Sequence, residues 1–318
     1  MGLKAEHLSE VLSITTRVSK TGRFVIAMTF LASISNYIEV TKPKTVALLV
    51  FTSVATTAIA ALSTKWFVPS VILAGLIAIT AASAGCNTVT CYIDRDIDKV
   101  MRRTSHRPIP TDRIEPAERA LVWGLGLIAL GLVIGLWINL VSFMSLVLGV
   151  LDNVVVYSLW LKRRSSFNII LGGFSGGLPA MFGWSMITGT VSLLPILLAA
   201  LVVLWIPSHI WSLAIFSKED YALAGVPMLP VVMKEKVALR CIVATVLLMI
   251  PFSLAIYSEG GFSWIYAASA ILLGVAVLAV NVYLFFRPTK QNAYRAFKIS
   301  SPYLFLLFLA MVIDRALL

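Results

Sequence analysis

Polar residues interrupt this chain at intervals that leave nine apolar runs, each close to the roughly 20 residues a helix needs to cross a bilayer. They extend from about Thr45 to Leu62, Val68 to Ile93, Ala117 to Ile138, Leu140 to Leu161 and Asn168 to Ile187, then from Leu193 to Phe216, Val237 to Tyr257, Trp264 to Phe286 and Ala296 to Leu317. Only helices or closed barrels satisfy their backbone polar groups in lipid, so runs of this length predict an all-α polytopic membrane protein with nine transmembrane helices. Arg23 to Ile34 is apolar but too short to span, and predicts an interfacial helix on a polar, basic tail. The division expected is residues 1–36 as a cytoplasmic and interfacial segment and residues 37–318 as one transmembrane domain.

Composition supports that pattern. Of 318 residues 59% are hydrophobic and 13% charged, well away from the balance of a soluble domain. The net charge of +11 does not indicate nucleic acid, because Lys and Arg collect in alternate links, those after the second, fourth, sixth and eighth runs. The positive-inside rule then puts the basic links and the N-terminus in the cytoplasm and, with nine spans, the C-terminus outside, in a plasma membrane. Cys86, Cys91 and Cys241 have no C-x-x-C spacing and read as structural thiols.

Charge is scarce, so where it concentrates is informative. The stretch NTVTCYIDRDIDKVMRRTSHRPIP, Asn87 to Pro110, closes the second run with three carboxylates among several arginines. On a helix, measured from Asn87, Asp94 lies at about −20° and Asp98 at about +20°, so the three share a face. Asp96 falls opposite and is expected to pair with Arg or face solvent. Two carboxylates one turn apart suit Mg²⁺ held with substrate phosphates; the competing reading is a salt-bridged, solvated helix end. A second acidic loop, SKEDYALAGVPMLP from Ser217, opens on the same side and is expected to bring Asp220 opposite Asp94 and Asp98 across a cavity mouth, where the paired loops are expected to hold two Mg²⁺ ions that bind a diphosphate and neutralise it as it departs. Lys42, Arg102, Arg103, Arg107 and Lys218 stand nearby as phosphate contacts or as lipid anchors. Arg163 and Arg164 carry the same pair of readings.

Three intramembrane features remain. His209, in WIPSHIWSLAIF, is either a functional group with a porphyrin iron as a fitting partner or a histidine bonded to backbone freed by Pro207. Asp152 and Asn153 lie well inside the fourth run, where a charge must be paired, protonated or at a cavity. The glycines of GGFSGGLP, from Gly172, favour close helix packing over ligand contact.

The segments YIEVTKPKTVALLVFT from Tyr37, YIDRDIDKVMRRTSHRPIP from Tyr92, VVVYSLWLKRRSSFNIILGGFSGGLPAMFGW from Val154 and WIPSHIWSLAIFSKEDYALAGVPMLPVV from Trp205 resemble the protoheme IX farnesyltransferase (haem O synthase) branch of the UbiA-type intramembrane prenyltransferases. The resemblance runs in order from Tyr37 to Val232. It implies a nine-helix bundle around a central cavity, Mg²⁺ as cofactor, farnesyl diphosphate as donor and haem B as acceptor. It also implies haem A synthase and oxidase assembly factors as partners. By the same resemblance Asp94 and Asp98 match the first-motif carboxylates, with Asn87 a candidate further oxygen ligand, and Asp220 matches the acid of the second motif. Lys42, Arg102, Arg107 and Lys218 match basic diphosphate positions, and His209 matches the histidine of the haem branch. Thr90 and Cys91 depart from the usual Asn-Asn or Asn-Asp, and Lys44 stands where the family often has Arg. A prenyltransferase with a quinone-ring or lipid acceptor is the alternative enzyme. A transporter is the alternative of another class, and it would carry polar groups on both membrane sides.

Overall fold

A computed structural model describes residues 33–318; the basic tail and nearly all of the expected interfacial helix lie outside the described residues. Residues 33–40 are helical (α1), so the boundary expected at 36/37 falls inside an element. There follow α2 (Pro43–Thr64), α3 (Pro69–Ile93), a short α4 (Arg95–Val100) and α5 (Glu118–Ile138). α6 (Leu140–Val150) continues as a π-helix over Leu151–Leu161. The short α7 (Asn168–Leu171) precedes α8 (Phe174–Thr188), and α9 (Leu193–Phe216) leads into short α10 (Lys218–Leu223) and α11 (Leu229–Val232). Three long helices close the chain: α12 (Glu235–Gly260), α13 (Trp264–Phe286) and α14 (Lys290–Leu317). Among the described residues nine helical segments are long and apolar enough to span a bilayer, as the apolar runs predict.

Helix ends follow local chemistry. Proline opens α2 and α3 at its first turn, where the missing N–H is no loss. Asn139 caps α6 by accepting from Ser142 N at 2.8 Å, and Gly189, at φ 66°, ends α8 in the left-handed region that glycine adopts freely. The last span begins at Lys290 instead of near Ala296 because Thr289 caps it, accepting from Asn292 N at 3.1 Å.

α2, α3, α6, α8, α9 and α14 contribute walls to a central cavity, and α5, α12 and α13 pack against the outside of that ring. The outer helices present large apolar side chains outward, Val133 of α5 and Leu272 of α13 among them, as a lipid-facing surface requires. The chain is a multi-pass membrane protein. Small residues set the tightest contacts. A Cβ on Gly85 would lie 2.5 Å from the Gly124 carbonyl oxygen, so α3 and α5 touch backbone to backbone. Gly177 meets the Ala199 carbonyl of α9 in the same way, at 2.6 Å, which is the packing role expected of that glycine run. Gly172 and Gly176 are packed as closely, a Cβ there falling 2.6 Å from Tyr157 Cβ and 2.4 Å from Ile206 Cδ1, and with Gly173 they also line the cavity.

Candidate active site

The cavity has a volume of about 750 Å³, within the range of small-molecule sites. Consecutive spans alternate in direction, so the start of α2, the ends of α3, of the π-helix and of α9 and the start of α14 share one end of the bundle. All the charged residues of the cavity lining come from that end: Lys42, Lys44, Asp94, Asp98, Arg103, Arg107, Lys162 and Lys298. Farther in, the walls are mostly apolar, with Leu48, Ile79, Leu146, Leu178, Val202 and Leu304 among them.

The acid pair is built differently from the continuous helix expected. α3 ends at Ile93, Asp94 leaves helical geometry at φ −93°, ψ 9°, and the chain re-enters a helix at Arg95. The N–H of Asp98 still donates to the Asp94 carbonyl at 2.8 Å, so the interruption shifts the helix without reversing it. Asn87, Asp94 and Asp98 accordingly all remain buried and face the cavity. Asp96 points away and accepts twice from the Arg163 guanidinium, at 2.6 and 2.7 Å. That bond holds the Asp96 carboxyl below its ordinary pKa, and it assigns Arg163 to a protein partner instead of lipid.

Each buried carboxylate has a cation. Lys162 Nζ donates to Asp94 Oδ2, and Arg107 Nη1 donates to Asp98 Oδ2 at 2.7 Å. Desolvation acts to lower the Lys162 pKa, but the pull of the Asp94 and Asp98 carboxylates, with the hydrogen bond to Asp94, outweighs it and the ammonium stands above its ordinary value. Asp94 Oδ1 is buried without a hydrogen-bond partner among the described residues. An anionic oxygen left free beside a second carboxylate fits a hard divalent cation. Among the described residues no three His, Cys, Asp or Glu converge, so substrate oxygens and water would have to complete such a shell.

Lys42 is in the left-handed region at φ 56°, just before Pro43. Its ammonium donates to Thr90 Oγ1 at 3.1 Å, and that hydroxyl donates to the Asn87 carbonyl at 2.9 Å. Thr90, a departure from the family pattern, thus aims Lys42 into the cavity. Cys91 turns away from the cavity, with Sγ 3.5 Å from the Val40 carbonyl.

Three expected contacts are not made by direct approach. Asp220 is half-buried and not part of the cavity wall; its Oδ2 accepts from the Arg103 backbone N–H at 3.3 Å. It steadies the loop that carries Arg103 instead of opposing Asp94 and Asp98. Arg102 and Lys218 are exposed outside the cavity, because neighbouring residues on those short turns point inward in their place. Lys44, by contrast, does line the cavity mouth.

Lys162 and Tyr157 carry no site role in the sequence reading. On an α-helix residues five apart diverge by about 140°. The π-helix instead bonds i to i+5, with Lys162 N donating to the Tyr157 carbonyl at 2.8 Å, and brings the ammonium within 5.7 Å of the Tyr157 ring. Asp152 starts the same segment and accepts from Ser175 N at 2.7 Å. It caps α8 across the break after α7.

His209 lines the cavity two turns in from the end of α9. Its ring is sandwiched between Trp205 and Phe297, with centroids 4.5 and 4.4 Å away, and Nδ1 lies 2.6 Å from Ser300 Oγ. The partner is thus a side chain of α14 and not backbone freed by Pro207.

The chain is similar to known proteins along most of its length. A protoheme IX farnesyltransferase of Desulforudis audaxviator is 50% identical over 281 residues, covering 87% of this chain and 87% of its own. Protoheme IX farnesyltransferase 1 of Cenarchaeum symbiosum is 39% identical, covering 88% and 95%. A solved digeranylgeranylglyceryl phosphate synthase structure superposes with a TM-score of 0.75 at 20% identity, over 90% of this chain and 99% of that one. A UbiA homologue from Archaeoglobus fulgidus bound to GPP and Mg²⁺ gives 0.65 at 17% identity, over 87% and 99%. At those identities the two structures speak for the fold. A model of the UbiA prenyltransferase family matches residues 48–310, and with that match and those relatives spanning most of its length, the chain belongs to the UbiA prenyltransferase family.

Proposed function

We infer that this chain transfers the farnesyl group of farnesyl diphosphate to a vinyl group of haem B, with addition of water, to give haem O. The observation that carries the reading is one cavity with two chemistries. Two buried carboxylates stand among Lys42, Arg103, Arg107 and Lys162 at its mouth, and an apolar lumen with His209 in its wall lies beyond.

Asp94 and Asp98 are the residues that would hold Mg²⁺, with Asn87 beside them. Bound there, Mg²⁺ supplies electrostatic stabilisation of charge on the departing diphosphate. Lys42, Arg103, Arg107 and Lys162 donate to the diphosphate oxygens. Asp220 keeps Arg103 in place through its amide, while Arg102 and Lys218 add positive charge outside the cavity. The apolar walls hold the isoprenyl chain and keep water from the allylic cation left when the C–O bond to diphosphate breaks. The vinyl π pair of the acceptor then forms the new C–C bond. Water adds to the cation this creates next to the pyrrole, and a proton is lost.

Haem B is the acceptor that suits a neutral imidazole edge in the cavity wall, and it is the acceptor in the relatives' name. The concentration of Lys and Arg at the mouth end supports a cytoplasmic mouth and N-terminus and a C-terminus outside. Haem A synthase and oxidase assembly factors are the partners such a product implies.

The test is to supply membranes containing the protein with haem B, farnesyl diphosphate and Mg²⁺ and to analyse extracted haem by chromatography and mass spectrometry. A product heavier by a farnesyl group plus a hydroxyl is expected. Unmodified haem beside a prenylated quinone precursor would overturn the acceptor assignment.

A further inference from the structure

His209 has two ring nitrogens, and only an unprotonated one can bind a metal or accept a proton. The surroundings decide which. Ser300 Oγ has a single proton and donates it to the Phe297 carbonyl at 2.8 Å, one turn back on its own helix. With that proton committed, the short 2.6 Å contact to His209 leaves Oγ as the acceptor and Nδ1 as the donor. Trp205 and Phe297 stack on the ring and hold its plane, and the Ser300 contact sets which ring edge faces α14. The remaining nitrogen, Nε2, has no hydrogen-bond partner among the described residues, and His209 lines the cavity.

We propose that Ser300 is a positioning residue that fixes His209 as the Nδ1–H tautomer and so presents an unprotonated Nε2 lone pair to the acceptor in the cavity. Axial ligation of a porphyrin iron is the use this lone pair best suits. A hydroxyl in the outer shell of a histidine ligand both orients the ring and raises its basicity. That use rests on the acceptor reading proposed above; the tautomer does not.

The experiment has two parts on the full-length chain in detergent or nanodiscs. First, ¹⁵N-histidine NMR reads the tautomer without any ligand, with His209→Ala assigning the signal. The wild type and Ser300→Thr are expected to show protonated Nδ1, and Ser300→Ala a mixture of tautomers. Protonated Nε2 in the wild type, or an unchanged tautomer in Ser300→Ala, overturns the proposal. Second, ferric haem titration followed at the Soret band reads ligation. Ser300→Ala is expected to weaken binding by about 10–100-fold, with recovery in Ser300→Thr and loss of the ligated spectrum in His209→Ala. If haem affinity and spectrum are unchanged in His209→Ala while the tautomer holds, axial ligation by His209 falls and the tautomer assignment stands; the acceptor reading is judged separately by the product analysis above.

Discussion

Lys162 offers the sharpest test of how the cavity is held together. Its side chain is 14% exposed and that of Asp94 3%, so Lys162→Met strips a nearly buried carboxylate of its cation. Breaking a buried pair from one side costs about 3–5 kcal/mol, because the other charge stays behind uncompensated. The cavity admits water, which places the expected loss near the low end, about 3 kcal/mol. At roughly 2 °C per kcal/mol for a chain of this size, the midpoint should fall by about 6 °C. Cys91 is free, buried and off the cavity, whereas Cys86 lines it and Cys241 is half-buried, so in a Cys86→Ser, Cys241→Ser background a thiol-reactive fluorophore in detergent reports unfolding. The decisive variant is Lys162→Met combined with Asp94→Asn, which removes both charges. It should be more stable than either single variant, with a coupling of about 2–3 kcal/mol. Simple additivity would mean that the two groups do not depend on each other, and the account of the site would be wrong.

Other outcomes follow from the same geometry. Gly85→Val should drive α3 from α5 and destabilise by about 1–3 kcal/mol, since even a Cβ there approaches the Gly124 carbonyl to 2.5 Å; thermal unfolding measures it, and an unchanged midpoint would refute the close contact. Glu39, bonded to Arg113 at 2.7 and 2.9 Å, has its carboxyl held below the usual range chiefly by that bond. Its contribution is therefore full above the ordinary carboxylate pKa and lost as pH falls through the lowered one. Both side chains are 38% exposed, so the effect stays under about 1 kcal/mol; an acid titration of stability that Glu39→Gln leaves unchanged would remove the pair from the account.

The nine spans were legible because bilayer thickness fixes the length of an apolar run, whatever the tertiary packing. Asn87, Asp94 and Asp98 were legible because their spacing survives the interruption at Asp94 in register. What the sequence could not disclose depends on helices that are not ideal or on contacts between distant segments. The π-helical winding makes Lys162 and Tyr157 neighbours, and α-helical angles separate them. Asp220 lies in an acidic loop on the expected side, but the Arg103 amide captures it, and no periodicity encodes that hydrogen bond. Ser300 lies 91 residues from His209, and one serine in an apolar helix gives no signal.

Four buried or half-buried carboxylates in or beside the spans also sort by partner. Asp152 accepts from Ser175 N, and Asp314, fully buried, accepts from the amides of Ser263 and Tyr266 at 2.8–3.1 Å and from the Ser263 hydroxyl at 2.7 Å. Both cap the start of a neighbouring helix, α8 and α13 respectively. Asp94 and Asp98 meet an ammonium and a guanidinium beside open cavity, partners that can turn toward an arriving diphosphate. A cap needs an acceptor oxygen, which asparagine retains; a cation site needs the negative charge, which asparagine lacks. Asp152→Asn should therefore keep transfer activity and lose only about 1 kcal/mol of stability. Asp98→Asn should remain folded and lose roughly 10²–10³-fold in turnover. Equal activity losses in the two variants would erase the distinction between capping acids and site acids, and with it the assignment of Asp98 to the diphosphate chemistry.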